Sequence, residues 1–121
     1  MNYSELTLRY FETAVGTGVL TGPDVHRGAA GSRARGTWVQ FDVRIISGDI
    51  RAARFLAFGC PHTIAVSAWV AEHAAGPAAA VALPLSVQAL SDRFEVPAEK
   101  RGRLLIVEDA WVAALTAALQ R

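Results

Sequence analysis

Apolar and polar residues alternate most regularly in the middle of the chain. From Trp38 to Ile46, one face of an extended chain would carry Val39, Phe41, Val43 and Ile45, and the other Gln40, Asp42 and Arg44. This period of two predicts a strand, and a strand with one apolar face is typical of an antiparallel sheet with one solvated side. Ser47-Gly48-Asp49 predicts a tight turn, after which Ile50 to Phe58 predicts the returning strand of a hairpin.

The hairpin leads directly into the single cysteine of the chain. Gly59 ends the second strand, and Pro61 predicts the first position of a helix with Cys60 as its cap residue, because proline has a helical φ and no N–H. The helix should run to Ala75 and stop at Gly76-Pro77. A sulfur in the positive end of the helix dipole favours the thiolate, so Cys60 is a candidate reactive cysteine or metal ligand. The alternative is a small buried apolar residue.

Apolar residues at spacings of three to four predict three further helices. The first runs from Ser4, its cap, to Glu12, a short one lies within Pro84 to Phe94, and the last runs from about Ala98 or Arg101 to Gln120. The last helix carries a broad apolar stripe made of Leu104, Leu105, Val107, Trp111, Val112, Leu115 and Leu119. The glycine-rich residues 14–36 predict a loop with at most a short strand near Val25.

This order of elements predicts an α+β fold. Strands followed by helices are typical of a small antiparallel sheet, here three strands or a hairpin plus a short strand, covered by helices on one face. The 121 residues suffice for a single domain spanning 1–121, and a hydrophobic fraction of 52% supplies its core.

Composition and charge exclude several classes of function. The net charge of +1 gives no reason to expect a nucleic-acid or membrane partner. One cysteine, no signal-peptide pattern and no membrane-spanning apolar run predict a cytoplasmic protein. Ser67 and Ser91 have no spacing that supports a histidine–carboxylate arrangement, so we do not expect an enzyme.

Several short stretches, taken in order, resemble a known family. They are Tyr3-Ser4-Glu5, Ile50 followed by Ala53-Arg54-Phe55, Gly59-Cys60, and Glu108-Asp109-Ala110. Together they resemble the IscU-type iron–sulfur cluster assembly scaffolds, also known as the NifU N-terminal family, over nearly the whole chain. The resemblance implies a SufE/IscU-like α+β fold that assembles a 2Fe-2S cluster on three cysteines, helped by an aspartate and a histidine. It also implies sulfur supply by a cysteine desulfurase and transfer by an Hsp70-type chaperone.

The positions that match the family's ligands carry different residues here. Cys60 matches the middle cysteine, Arg35 or alternatively Ser32 matches the first, Thr37 matches the aspartate, and Gly102 and Arg103 match the His-Cys pair. The family's Leu-Pro-Pro-Val-Lys segment is matched only in part by Val96-Pro97-Ala98-Glu99-Lys100. An Hsp70-type chaperone is therefore a doubtful partner.

A count of ligands and charges follows from this match. Clusters and structural zinc sites need about four anionic or imidazole ligands, so one thiolate is too few. Arg35 and Arg103 beside Cys60 would repel a cation, and we therefore expect neither a cluster nor iron or zinc. The same pair suits sulfate, phosphate or a carboxylate and would lower the pKa of Cys60. His62 and His26 are the alternative metal ligands.

Three functions remain open from the sequence. The first is a divergent cluster-assembly scaffold or accessory that cannot hold a cluster alone but still docks on a cysteine desulfurase. The second is a partner-binding or regulatory module of the same fold. The third is an anion-binding or sulfur-carrying site centred on Cys60, with the sulfur carried as a persulfide.

Overall fold

The computed structural model describes residues 2–120, which form an antiparallel sheet with helices against one face. The strands, in sheet order, are β1 (Val25–Ser32), β2 (Thr37–Ile46), β3 (Asp49–Phe58) and β4 (Gly76–Pro77). The helices are α1 (Glu5–Thr13), α2 (Pro61–Glu72), α3 (Val87–Arg93) and α4 (Arg101–Leu119), and a 3₁₀ turn at Ala98–Lys100 precedes α4. The predicted α+β class, with a small antiparallel sheet covered by helices, is confirmed.

The predicted hairpin forms the centre of the sheet. β2 and β3 pair with Phe41 opposite Phe55, and both rings are buried between the sheet and the helices. α4 lies across β1 and β2, while α2 packs against β3. The Trp111 ring of α4 meets Phe41 edge to face, with 5.1 Å between centroids. Burial of such a side chain stabilises the fold by about 2–3 kcal/mol, so this contact anchors α4 to the sheet.

The prediction of a loop over residues 14–36 is wrong for its second half. β1 is a strand of eight residues, paired with β2 from Val25 opposite Arg44 to Ser32 opposite Thr37. Its sequence shows no large alternating apolar side chains because α4 lies directly against its backbone. A Cβ added to Gly28 would lie 2.1 Å from the backbone nitrogen of Ala114. Small residues are therefore what this strand requires.

The outer face of the sheet is also covered in part, which the alternation did not predict. The backbone of Phe55 exchanges hydrogen bonds of 2.9 Å with Gly16 and Gly18, so residues 16–18 lie along β3. The chain then crosses the outer face, where the Leu20 N–H donates to the Asp42 carboxylate at 2.9 Å. Asp42, expected on a solvated face, is only 1% exposed.

The helices agree with their sequence patterns except at particular residues. Ser4 caps α1 as predicted, with its hydroxyl oxygen accepting from the Thr7 N–H at 3.1 Å. α2 ends at Glu72 rather than Ala75, because residues 76 and 77 form β4 beside β3. α4 has nearly its predicted bounds, but Leu105 and Leu119 are 50% and 58% exposed. The sheet covers a narrower stripe of α4 than the sequence suggests.

No helix within residues 2–120 has the length and apolar character needed to cross a membrane.

Candidate functional site

Cys60 occupies the predicted position between β3 and α2. It is the cap residue of α2, Pro61 follows at the first helical position, and the side chain is half-buried. The sulfur lies 3.7 Å from the Thr63 hydroxyl and 4.0 Å from Nδ1 of His62. Gly59 makes this packing possible, since a Cβ there would come within 3.2 Å of the Thr63 side chain. The strand therefore meets the helix closely, and the thiol faces the first turn of α2.

The surroundings of Cys60 favour its thiolate. Burial raises the pKa of the thiol, but the backbone N–H and the hydroxyl of Thr63, the Arg103 guanidinium and the His62 N–H outweigh that effect, and the pKa lies below its ordinary value. The sulfur makes no capping hydrogen bond with the helix. Its contacts with the Thr63 hydroxyl and the His62 ring are longer, as is usual for sulfur. Arg103, distant from Cys60 in sequence, is thus among the groups that lower the pKa of the thiol in the folded protein.

The surroundings of His62 favour its neutral imidazole over the charged form. Burial lowers its pKa, and the positive charges of Lys100 and Arg103 lower it further. The His62 ring packs edge to face on Tyr3 at 4.8 Å, and the Lys100 ammonium lies 5.8 Å from the centroid of the same Tyr3 ring. Charged groups from the start of α4 therefore give the N-terminal end of α2 a positive local potential.

An open cavity of about 560 Å³ lies between the β1–β2 turn and the beginning of α4. The turn contributes Gly31, Ser32, Arg35 and Thr37, and the other wall consists of Glu99, Gly102, Arg103 and Ile106. All five positions that the sequence resemblance matches to ligands other than Cys60 line this cavity. Residues separated by some seventy positions in the chain thus meet beside the α2 cap.

Two positive charges face this cavity without an acidic partner. Neither the Arg35 nor the Arg103 guanidinium forms an ion pair with a carboxylate in the described part of the chain, where the pairs are Arg27–Asp42, His73–Glu72 and Arg101–Asp92. The neighbouring Arg33 has another contact, since its guanidinium lies 5.1 Å from the centroid of the Trp38 ring.

His26 does not join Cys60. It lies on β1 opposite Val43, whereas Cys60 follows the end of β3 that pairs with Trp38. The five positions from Trp38 to Val43 correspond to about 17 Å along a strand. No group of three or more His, Cys, Asp and Glu residues within residues 2–120 could hold a metal ion. The alternative ligand set of Cys60, His62 and His26 is therefore not assembled by the fold.

The donors around Cys60 do not fit an iron–sulfur cluster or a zinc ion. They comprise one thiol, one neutral imidazole and the guanidinium of Arg103, and the adjoining cavity adds the guanidinium of Arg35. Cations of this kind need about four anionic or imidazole ligands, and guanidinium groups cannot act as ligands.

Sequence reasoning missed three residues of this site. Thr63 had a local signal, because the side chain of a helix cap commonly interacts with the residue three positions on. Lys100 and Glu99 have no local signal, because the position of Glu99 at the cavity and of Lys100 near His62 depends on how α4 packs on the sheet.

Comparison with known proteins gives a consistent result. The model of the family described as the NifU-like N terminal domain matches residues 2–121. "Iron sulfur cluster assembly protein 1" of Trachipleistophora hominis is 26% identical over 117 residues, which cover 95% of this chain and 85% of that protein.

Solved structures share the fold. A NifU-like N-terminal protein from Brucella abortus superposes with a TM-score of 0.77 at 15% identity, over 98% of this chain and 94% of that one. A putative scaffold protein for the SUF system from Fervidobacterium islandicum gives 0.65 at 13% identity, over 96% of each chain. Identities this low show similarity of fold alone. Since the family model spans nearly the entire sequence, the chain belongs to the NifU-like N-terminal domain family.

Proposed function

We propose that this protein takes part in iron–sulfur cluster assembly as a scaffold-like component that does not hold a cluster by itself. Family membership supports the general role, as does the name of the relative from T. hominis. The role is non-catalytic: the protein presents a surface and one thiol to the assembly machinery.

One observation carries the proposal. Ser32, Arg35, Thr37, Gly102 and Arg103 line one cavity beside Cys60. The arrangement of positions that the resemblance matches to a ligand set is retained, while the residues at those positions are glycine, hydroxyl-bearing or cationic. A preserved frame with replaced donors supports a protein that kept the surfaces of a scaffold and lost the cluster.

Restoration of the ligands tests this directly. A variant with Arg35→Cys, Thr37→Asp, Gly102→His and Arg103→Cys is incubated anaerobically with ferric iron, sulfide and dithiothreitol beside the wild type, followed by desalting and iron determination. We expect retained iron and visible cluster absorbance in the restored variant only, and we expect Cys60→Ser in that background to abolish both. A second variant with Ser32→Cys in place of Arg35→Cys resolves which residue matches the first cysteine.

Two results would contradict the proposal. Stoichiometric iron in the wild type would show that its own donors suffice. Failure of both restored variants, while their circular dichroism remains that of the wild type, would show that the matched positions do not form the ligand frame.

We further propose that the partner is a cysteine desulfurase and that the protein acts in the cytoplasm. An Hsp70-type chaperone remains a doubtful partner, because Val96-Pro97-Ala98-Glu99-Lys100 matches the family's segment only in part and Val96 is buried. Pull-down of the purified cognate desulfurase by the wild type is the expected result. Absence of that interaction would instead favour the partner-binding or regulatory role without cluster assembly.

A further inference from the structure

We propose that the cavity between the β1–β2 turn and the start of α4 binds a small dianionic oxyanion of the phosphate or sulfate class, held by Arg35 and Arg103. This inference does not depend on the role in cluster assembly, because it concerns only the charges and hydrogen-bond donors of the cavity.

The charge of the cavity is the first argument. Arg35 and Arg103 reach it from opposite walls, and neither pairs with a carboxylate within residues 2–120. A guanidinium keeps its charge at any physiological pH and matches two oxygens of an oxyanion with two parallel N–H donors. A tetrahedral dianion has the charge and the number of oxygens to pair with two guanidinium groups, whereas a chloride ion carries one charge and cannot pair bidentately.

The remaining donors suit oxygen atoms. The hydroxyl oxygen of Ser32 accepts a hydrogen bond from the backbone N–H of Arg35 at 3.1 Å. The hydroxyl hydrogen of Ser32 is therefore left to donate to a ligand. Thr37 adds a second hydroxyl to the same wall. The volume of about 560 Å³ exceeds that of a single phosphate, so a small organic phosphate also fits.

Glu99 opposes an anion in the same cavity. Its carboxylate lines the wall beside Arg103 but forms no ion pair there, and it lowers the local positive charge by one. Substitutions in the cavity should therefore change the anion affinity in opposite directions. Glu99→Gln should tighten anion binding, and Arg35→Gln or Arg103→Gln should weaken it.

Arg103 connects the cavity to Cys60. Its guanidinium lines the cavity and also favours the thiolate. An anion bound to Arg103 would withdraw part of that support and add negative charge nearby. Binding in the cavity should consequently slow alkylation of Cys60 by iodoacetamide at neutral pH, since the thiolate is the reactive form.

The experiment is a titration of ¹⁵N-labelled protein with sodium phosphate, sodium sulfate and glycerol 3-phosphate in separate arms, at constant ionic strength maintained with sodium chloride. We expect saturable shifts of the Ser32, Thr37 and Gly102 amide signals and a parallel fall in the Cys60 alkylation rate. Loss of either arginine should weaken binding roughly tenfold, the effect of one charge-assisted contact. Arg51→Gln, which removes an exposed arginine from β3 outside this cavity, is the matched control.

The arms give clear outcomes. Saturation by any of the three anions, weakened by Arg103→Gln but not by Arg51→Gln, supports the proposal, and a stronger response to glycerol 3-phosphate than to phosphate identifies an organic ester as the better ligand. Shifts no larger than those produced by chloride overturn it. Equal responses of the Arg103→Gln and Arg51→Gln variants also overturn it, since they indicate screening of general charge.

Discussion

Gly28 of β1 and Ala114 of α4 are in direct backbone contact: a Cβ on Gly28 would lie 2.1 Å from the Ala114 nitrogen and 2.7 Å from its Cα. No flexible side chain separates the two elements at this point. α4 consequently packs close to the sheet. Its first turn, which carries Gly102 and Arg103, lies across the cavity from the β1–β2 turn. The geometry of the cavity therefore depends on a glycine that is not part of its lining.

Substitution of Gly28 by alanine should destabilise the protein by about 2–4 kcal/mol, because the methyl group meets backbone atoms that can move only if α4 is displaced. Urea unfolding followed by tryptophan fluorescence measures this. Gly102→Ala is the control in the same helix, since a Cβ there meets no atom within 4 Å, and alanine should be neutral or stabilise by up to about 1 kcal/mol. Similar values for both variants would show that α4 does not require the close contact.

The buried carboxylate of Asp42 should make stability depend on acidity. Burial raises its pKa, but the Arg27 guanidinium, at 2.7 and 2.9 Å, together with the Leu20 N–H outweighs that effect, so the pKa lies below the ordinary value. The resulting stabilisation is present above the ordinary carboxyl pKa of about 3.9 and is lost as the pH falls through the lower folded-state pKa.

Two variants test this pair. Asp42→Asn should flatten the loss of stability below about pH 4, the ordinary range for a carboxyl group, whereas Asp49→Asn, at an exposed residue, should leave it unchanged. Arg27→Gln should destabilise the protein at pH 7, though less than the loss of a fully buried pair would, because Arg27 is half exposed. An unchanged acid transition in Asp42→Asn would show that this carboxylate does not govern it.

The reactivity of Cys60 should respond to Arg103 and hardly to Arg35. Arg103→Gln removes one of the groups that favour the thiolate, so the pKa of Cys60 should rise and iodoacetamide alkylation at pH 7 should slow several-fold. Arg35→Gln removes the same charge from the other wall of the cavity and is the control. The rate measured across a range of pH gives the pKa of each variant. Equal rates for the two variants would remove the specific role of Arg103.

Arg103→Gln should also raise the pKa of His62. Burial and the charges of Lys100 and Arg103 all lower it in the wild type. His62 therefore binds a proton less readily in the folded chain than in the unfolded chain. The stability that it contributes is present above about pH 6.5 and is lost as the pH falls through its folded-state pKa. NMR titration of the imidazole signals should show the rise in Arg103→Gln and in Lys100→Gln. No change in either variant would place those charges too far away to act.

The elements specified by short-range patterns could be predicted from the sequence. The β2–β3 hairpin follows from alternation between Trp38 and Phe58, and the start of α2 follows from Pro61, because both depend on neighbours within a few residues. β1 could not be found in this way. Its glycines and alanines carry no amphipathic signal, and they are explained only by the helix that lies on them.

The candidate site, like the fold, has features that the sequence determines and features that depend on tertiary structure. The sequence by itself determined that the single cysteine lies just before the first residue of a helix and that no cysteine is present at the other positions that the resemblance matches to ligands, since both depend only on residue identity and local pattern. Only the tertiary structure decided that Arg35 and Arg103 share a cavity, that Arg103 reaches Cys60, and that His26 does not. The reason is physical: pairing of β1 with β2 and packing of α4 across them bring together groups whose separation along the chain carries no information about distance.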